Sequence, residues 1–422
     1  MIKLGVIDQD VNPEQIDQYL NQVKKVTRLD WGRKLKEEQK GKWADFSQLG
    51  PASEMGVREV QTTLKEAGFF PNGNVDGICG YGTLSAIRLF QEYVRTIEGK
   101  SAIIPDGVAG SMTFTELKRW KSEGKKADWT DIRKTWQQWV DNGNQVPPDI
   151  DSEYATWLRF LDTVKASYLQ KPSRMLTMVN KLPQASKIDT LKIADWDFRP
   201  GHIHLVGIRR KGDGSVQKFD DVLILLINGM VFKFQGSTDP GATKSSKGFP
   251  FLVQGQHNYH FGWHGINSEN GAKTHQALKP LSVDIPGGGV AVVRSKDLNL
   301  TEADLVGDLE INNSINIHWA GKGLDRNVDT WSEGCQVITG AGYANHHNQP
   351  IDCKSFAAVG NSDLGIKGLT RGAYNVLLDL VTAFSTTFSI KYMLLVEEDL
   401  ALSPAIMKII GQAREQARTK IM

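Results

Sequence analysis

The stretch from Val57 to Trp120 writes one pattern twice. Asp76-Gly77-Ile78-Cys79-Gly80-Tyr81-Gly82-Thr83 and Asp106-Gly107-Val108-Ala109-Gly110-Ser111-Met112-Thr113 both read D-G-x-x-G-x-x-T, thirty residues apart. An internal repeat constrains a chain more than any single propensity, because each copy must build the same unit and bury the same face. In each copy Asp-Gly makes a tight turn, the second Gly closes a loop, and Thr is placed to cap the helix that follows. Between the copies, Leu84, Ile87, Leu89, Phe90 and Val94 follow helical spacing. Before the first, Val57, Val60 and Leu64 share one face and Gly68 ends it. The spacing predicts helix, D-G loop, helix, D-G loop, helix.

That order of parts, with Gln61, Phe90 and Gln91, resembles a type 1 peptidoglycan-binding domain, taken here as residues 51–122. The resemblance implies a helical bundle that binds glycan or stem peptide and has no catalytic centre. Its candidate binding residues are Asp76, Gly77, Gly80, Thr83, Asp106, Gly107, Gly110 and Thr113. The bland alternative is a small bundle without a ligand. Cys79 falls in a loop where no chemistry is expected.

The other regions differ in texture. Residues 1–50, rich in Lys, Glu and Gln in QIDQYLNQVKKV and WGRKLKEEQKGKW, predict an N-terminal helical arm that ends near Pro51 and Gly56. Residues 123–190 carry Trp129, Trp136, Trp139, Trp157, Phe160 and Tyr168 at helical spacing. An aromatic stripe of this kind is read as core, and the region as a helical spacer. From residue 191 to 400 the runs become β-branched and aromatic, with Asn228-Gly229 as a hairpin turn. GAYNVLLDLVTAF then predicts a helix, SIKYMLLVEED a closing strand, and residues 401–422 a C-terminal helix.

Within this β region, Ile315 to Ile338 holds one His and one Cys. Ile315 and Ile317 alternate with Asn316 and His318, a strand ending on the histidine, and the loop from Ala320 to Thr330 turns back. Ser332-Glu333-Gly334-Cys335 follows. A thiol needs a neighbouring base to attack well at neutral pH, and imidazole is the usual one. The pattern H-x(13)-S-x-G-C resembles the signature of L,D-transpeptidase catalytic domains. It implies Cys335 as nucleophile, His318 as base, Ser332 as orienter of the turn or the ring, and the Gly334 and Cys335 amides as an oxyanion site. Gln336 and Val337 stand where that family has an apolar residue and then Arg or Asn, a departure at the substrate-carboxylate contacts. Gln336, Trp331, His264 and Asn316 are the candidate substrate contacts.

Charge and cysteine usage exclude other classes. Fifty basic against 48 acidic residues give no electrostatic case for nucleic acid. No apolar run approaches the ~20 residues that span a bilayer; VLILLI, Val222 to Ile227, is strand-length. Cys79, Cys335 and Cys353 are too few for a disulfide framework. A zinc set from His318, Cys335, His346 or His347 and Cys353 matches no recognised spacing. His202 with His204, and His257 with His260, are read as ordinary residues, and Lys211 to Gly214 as a turn rather than a phosphate loop. The N-terminus, MIKLGVIDQDVNPEQ, shows no signal-peptide pattern.

The expectation is therefore an α+β multidomain chain: a helical peptidoglycan-binding bundle, a helical spacer and a mostly-β L,D-transpeptidase-like domain. Its function would be cysteine acyl-enzyme chemistry on peptidoglycan stem peptides, as a transpeptidase, carboxypeptidase or endopeptidase. No cofactor, no metal, no nucleic acid and no membrane insertion are expected. It would be made in the cytoplasm and act at the cell wall or periplasm, delivered by a secretion or phage-like contractile machine or released at lysis. The alternatives are a non-catalytic peptidoglycan-binding adaptor of such a machine and a zinc hydrolase.

Overall fold

The computed structural model describes residues 1–27, 46, 48–50, 55–183, 185–210, 218–241, 246–265, 275–298, 300–321, 323, 327–328, 331–355, 357 and 370–421. The helix expected over Trp31–Trp43, the break at Pro51 and the turn at Lys211–Gly214 lie outside the described residues, as does much of the loop between Ala320 and Thr330. The chain divides into two compact units. One is Met1–Ile132 with Phe261–Gln276 and Phe356–Phe388; the other is Arg133–His260 with Ala277–Ser355 and Ser389–Met422.

The first unit is built on the repeat. Strand β1 (Val6–Ile7) pairs in parallel with β2 (Gln48–Leu49), and helix α1 (Pro13–Thr27) lies between them in sequence. Helices α2 (Val57–Glu66), α3 (Tyr81–Thr96) and α4 (Ser111–Glu123) follow the predicted pattern. Their core is aromatic. Phe69 meets Phe90, Tyr93, Trp120 and Trp129 edge-on, with ring centroids 5.4, 5.4, 5.5 and 5.2 Å away, the arrangement that ring quadrupoles favour. Trp129, expected in the spacer, thus belongs to this core.

Two differences from the expected boundaries follow from long-range contacts. Residues 1–8 do not form a separate arm: Ile2 and Ala109 exchange backbone hydrogen bonds, and Cys79 N–H donates to the Val6 carbonyl at 2.8 Å, so the segment runs along both D-G loops. Asp8 then accepts the Val57 and Arg58 amides at 2.6 and 2.9 Å, placing a carboxylate on the first turn of α2. Helix α8 (Ala373–Phe384), expected in the β domain, groups with the first unit. Arg88 on α3 binds Asp379 on α8 through both carboxylate oxygens, at 2.9 and 2.6 Å, and both side chains are buried.

The second unit is a closed barrel. Its strands are β3 (His204–Arg209), β4 (Asp221–Ile227), β5 (Met230–Ser237), β7 (Gly255–His264), β8 (His275–Pro280), β11 (Ile317–Trp319), β12 (Gln336–Ala344) and β14 (Ser389–Val396). The order β11-β8-β7-β14-β3-β4-β5-β12 is closed by pairing of β12 with β11, and β13 (Pro350–Asp352) adds outside β12. Closure removes the exposed edges of an open sheet. The β4–β5 hairpin turns at Asn228 and Gly229, both at positive φ (50° and 85°), as a type I′ turn requires. Strands β6 (Phe249–Leu252), β9 (Val290–Ser295) and β10 (Leu305–Asn312) make a separate three-stranded sheet.

Helices α5 (Trp129–Asp141), α6 (Glu153–Gln170), α7 (Arg174–Asn180) and α9 (Pro404–Gln416) complete the chain. Trp157, Phe160, Leu161, Ile406 and Ile410 bury against Val206, Ile208, Val222 and Ile224 of the barrel. The region expected as a spacer is instead largely a helical layer on the barrel, because its aromatic stripe needs an apolar surface to cover it.

Candidate functional site

The D-G loops are held by two glutamines that do the same thing thirty residues apart. The Gln61 amide nitrogen donates to Asp76 Oδ1 (2.8 Å), the Ile78 carbonyl (3.0 Å) and Thr83 Oγ1 (3.0 Å), while its oxygen accepts the Gly77 amide (3.0 Å). Gln91 repeats the set on Asp106 (3.1 Å), Val108 (3.0 Å), Thr113 (3.1 Å) and Gly107 (2.8 Å). Asp76 and Asp106 also accept the amides of Ile78 and Val108.

The expected binding residues Asp76, Gly77, Thr83, Asp106, Gly107 and Thr113 are therefore spent on internal bonds that shape the loops. Thr83 and Thr113 do not cap their helices; Gly80 and Gly110 occupy the N-cap positions, in extended conformation. The role of Gln61 and Gln91 was signalled by their sharing the period of the loops.

The S-x-G-C turn sits beside the histidine strand. β11 and β12 run parallel with Ile317 opposite Gln336 and His318 opposite Val337. Since strand side chains alternate, Asn316, His318 and Ala320 share a face with Cys335 and Val337. Ser332 Oγ donates to the Cys335 carbonyl at 2.7 Å and accepts the Gly334 amide at 3.0 Å, stitching the turn closed. Gly334 has φ 121°, and a Cβ there would meet the Pro250 carbonyl oxygen at 2.7 Å, so no other residue fits.

This changes the expected oxyanion site: the Gly334 amide is already used by Ser332. The Cys335 amide has no hydrogen-bond partner among the described residues.

Cys335 is 9% exposed, and its thiol lies against the chain before His318, accepting the Asn316 amide and donating to the Ser314 carbonyl, both at 3.3 Å. Asn316 acts on the thiol through its backbone. Burial pushes the Cys335 thiol up to about 11, with the Asn316 N–H partly opposing it. Burial lowers His318 to about 4. At neutral pH both groups are uncharged, so the pair rests as thiol and imidazole rather than as an ion pair. His318 Nδ1 lies 2.8 Å from the Trp319 carbonyl. A carbonyl only accepts, so Nδ1 carries the hydrogen and Nε2 is left as the basic nitrogen.

The other candidates are placed differently. Gln336 is fully buried, its amide donating to the carbonyls of Thr238 and Gly334 and accepting from the Tyr392 hydroxyl at 2.9 Å. It braces the barrel instead of facing substrate. Trp331 packs edge-on against Trp319, centroids 5.4 Å apart. His264 is the last residue of β7, its ring 5.2 Å from that of His275. Among the described residues, His318, Cys335, Cys353 and His346 or His347 are not gathered into one metal-ligand set.

Comparison with known proteins bears on the first unit. Residues 53–117 match the family model described as "Putative peptidoglycan binding domain". This agrees with the resemblance seen in the repeat, so the chain contains a peptidoglycan-binding type of domain there. No curated protein matches the chain. A solved structure, the fused Zn-dependent amidase/peptidase/peptidoglycan-binding domain-containing protein from Clostridium acetobutylicum, is similar at 15% identity over 67% of this chain and 84% of that one. Its TM-score is 0.19, too low to carry an argument about fold or activity.

Proposed function

We propose that this chain is a peptidoglycan-anchored cysteine enzyme that acts on stem peptides, of the L,D-transpeptidase, carboxypeptidase or endopeptidase kind. The observation that carries the reading is the turn stitched by Ser332, whose Cys335 thiol lies against Asn316 and Ser314, just before His318 in the chain, with His318 opposite Val337 in the parallel β11–β12 pairing. Attack of Cys335 Sγ on a stem-peptide carbonyl forms the S–C bond as the thiol proton passes to His318 Nε2. The Cys335 amide holds the oxyanion. Collapse expels the amine, which takes that proton, and leaves a thioester. Water then releases the acyl group in hydrolysis, or a second amine takes it in exchange, with His318 again handling the proton.

Incubation of purified muropeptides with the wild type and with Cys335→Ala, followed by mass spectrometry, tests this. Loss of a terminal residue, a cut cross-link or an exchanged amino acid is expected with the wild type alone. Identical, unchanged muropeptides in both reactions would overturn it.

A second reading has its own observation. A thiol buried this deeply and pushed up to about 11 by burial suits a non-catalytic adaptor that keeps the fold. Its signature is slow alkylation of Cys335 near neutral pH, together with undiminished sedimentation on sacculi.

A further inference from the structure

One cleft in the first unit is formed by the first D-G loop and the segment before it, and is completed by elements outside the repeat. It has a volume of about 140 Å³, on the scale of a single sugar residue. Tyr19 and Gln22 of α1 form one wall, Phe70 and Asn74 a second, and Thr382 and Phe388, at and beyond the end of α8, a third. Among the described residues, the lining includes no Lys, Arg or His. The one carboxylate among them, Asp76, already accepts Gln61 and the Ile78 amide.

Thr382 is 6% exposed, lines this cleft, and its hydroxyl has no hydrogen-bond partner among the described residues. A buried hydroxyl left unpaired costs about 1–3 kcal/mol, and a ligand that fills its valence recovers that.

The two halves of peptidoglycan differ in chemistry. Stem peptides carry free carboxylates, which call for a cation or an array of free amides. The glycan offers neutral hydroxyls, acetamido groups and apolar ring faces. Aromatic walls, side-chain amides and a spare hydroxyl, without a cation, fit the second.

We infer that this cleft binds an uncharged N-acetylhexosamine unit of the glycan strand, with Thr382 Oγ1 bonded to it. The inference rests on the peptidoglycan-binding reading and narrows it to the sugar. It also predicts that recognition survives loss of the stem peptides.

The test uses the full chain carrying Cys335→Ala, to prevent turnover, with and without Thr382→Val, which keeps the side-chain shape. Binding of chitotetraose and of a sugar-free stem tetrapeptide is measured by calorimetry, and binding of whole sacculi by sedimentation. Thermal unfolding confirms that Thr382→Val is folded; Phe388→Ala is the second probe if it is not. Chitotetraose binding that falls about tenfold in the variant, with no binding of the tetrapeptide, is the expected result. Sedimentation with sacculi but binding of tetrapeptide alone, or chitotetraose binding equal in both proteins, overturns the cleft while leaving peptidoglycan recognition standing. Failure to sediment with sacculi overturns both.

Discussion

The two D-G loops carry the same hydrogen bonds and stand in different surroundings. Gln61 and Gln91 each grip an Asp, a Gly, a carbonyl and a Thr at matching spacings. Thirty residues on from two of the cleft positions, the second copy has different chemistry. Asn74 and Gly82 become Ile104 and Met112, which are 53% and 56% exposed. Buried Arg88 becomes exposed Lys118. The scaffold that shapes the loop is the same in both copies, while among the described residues α1 and the end of α8 complete a cleft at the first copy.

The sharpest break between the copies is at Arg88. Arg88→Met removes both hydrogen bonds that Arg88 gives to the buried Asp379 carboxylate, and we expect a loss of about 3–5 kcal/mol. Lys118→Met, at the equivalent exposed site, is expected to change stability by less than about 0.5 kcal/mol. Denaturant unfolding of the two variants measures this, and equal losses would mean that α8 adds nothing to the first copy.

The glutamines probe the opposite claim, that the networks are equivalent. Gln61→Leu and Gln91→Leu each strand a buried glycine amide and several acceptors. Each should cost roughly 2–4 kcal/mol, with the two values within about 1 kcal/mol of each other. A large cost at one copy and none at the other would show that only one loop is built by its glutamine.

What was legible in the sequence was local or periodic. The repeat placed α2, α3 and α4, and Asn228-Gly229 placed the β4–β5 hairpin. The apolar pattern placed α8, β14 and α9. What was not legible was pairing across long separations. Arg88 and Asp379 are 291 residues apart, and no local pattern marks either as a partner of the other. Closure of the barrel depends on a three-residue strand, β11, too short to show its register.

The S-x-G-C turn was visible as a motif, but the competition between Ser332 and a substrate oxyanion for the Gly334 amide was not. Nor could alternation alone show that Gln336 turns its amide toward Tyr392. Thr382 and Tyr19 gave no signal at all, since a cleft wall needs only the right shape and one spare hydroxyl.

The smallest predicted effect isolates what α1 contributes. Gly80 and Gly110 have nearly the same backbone, φ −88° and −91°, so neither needs glycine for conformational reasons. Their surroundings differ. A Cβ on Gly80 would come within 2.3 Å of the Tyr19 ring and hydroxyl, whereas one on Gly110 meets nothing within 4 Å. Tyr19 also accepts the Tyr81 amide at 2.8 Å, so it has little room to retreat without giving up that bond. Gly80→Ala should therefore cost about 1–2 kcal/mol through overpacking. It should also weaken sacculus binding by moving the cleft wall. Gly110→Ala is expected to be neutral or slightly stabilising, since alanine lowers the entropy of the unfolded chain at no steric cost. Thermal unfolding of the two alanine variants decides it. Equal behaviour would mean that Tyr19 yields freely and that α1 is no fixed wall; a gap of the predicted sign would tie part of the asymmetry of the repeat to the Tyr19 side chain.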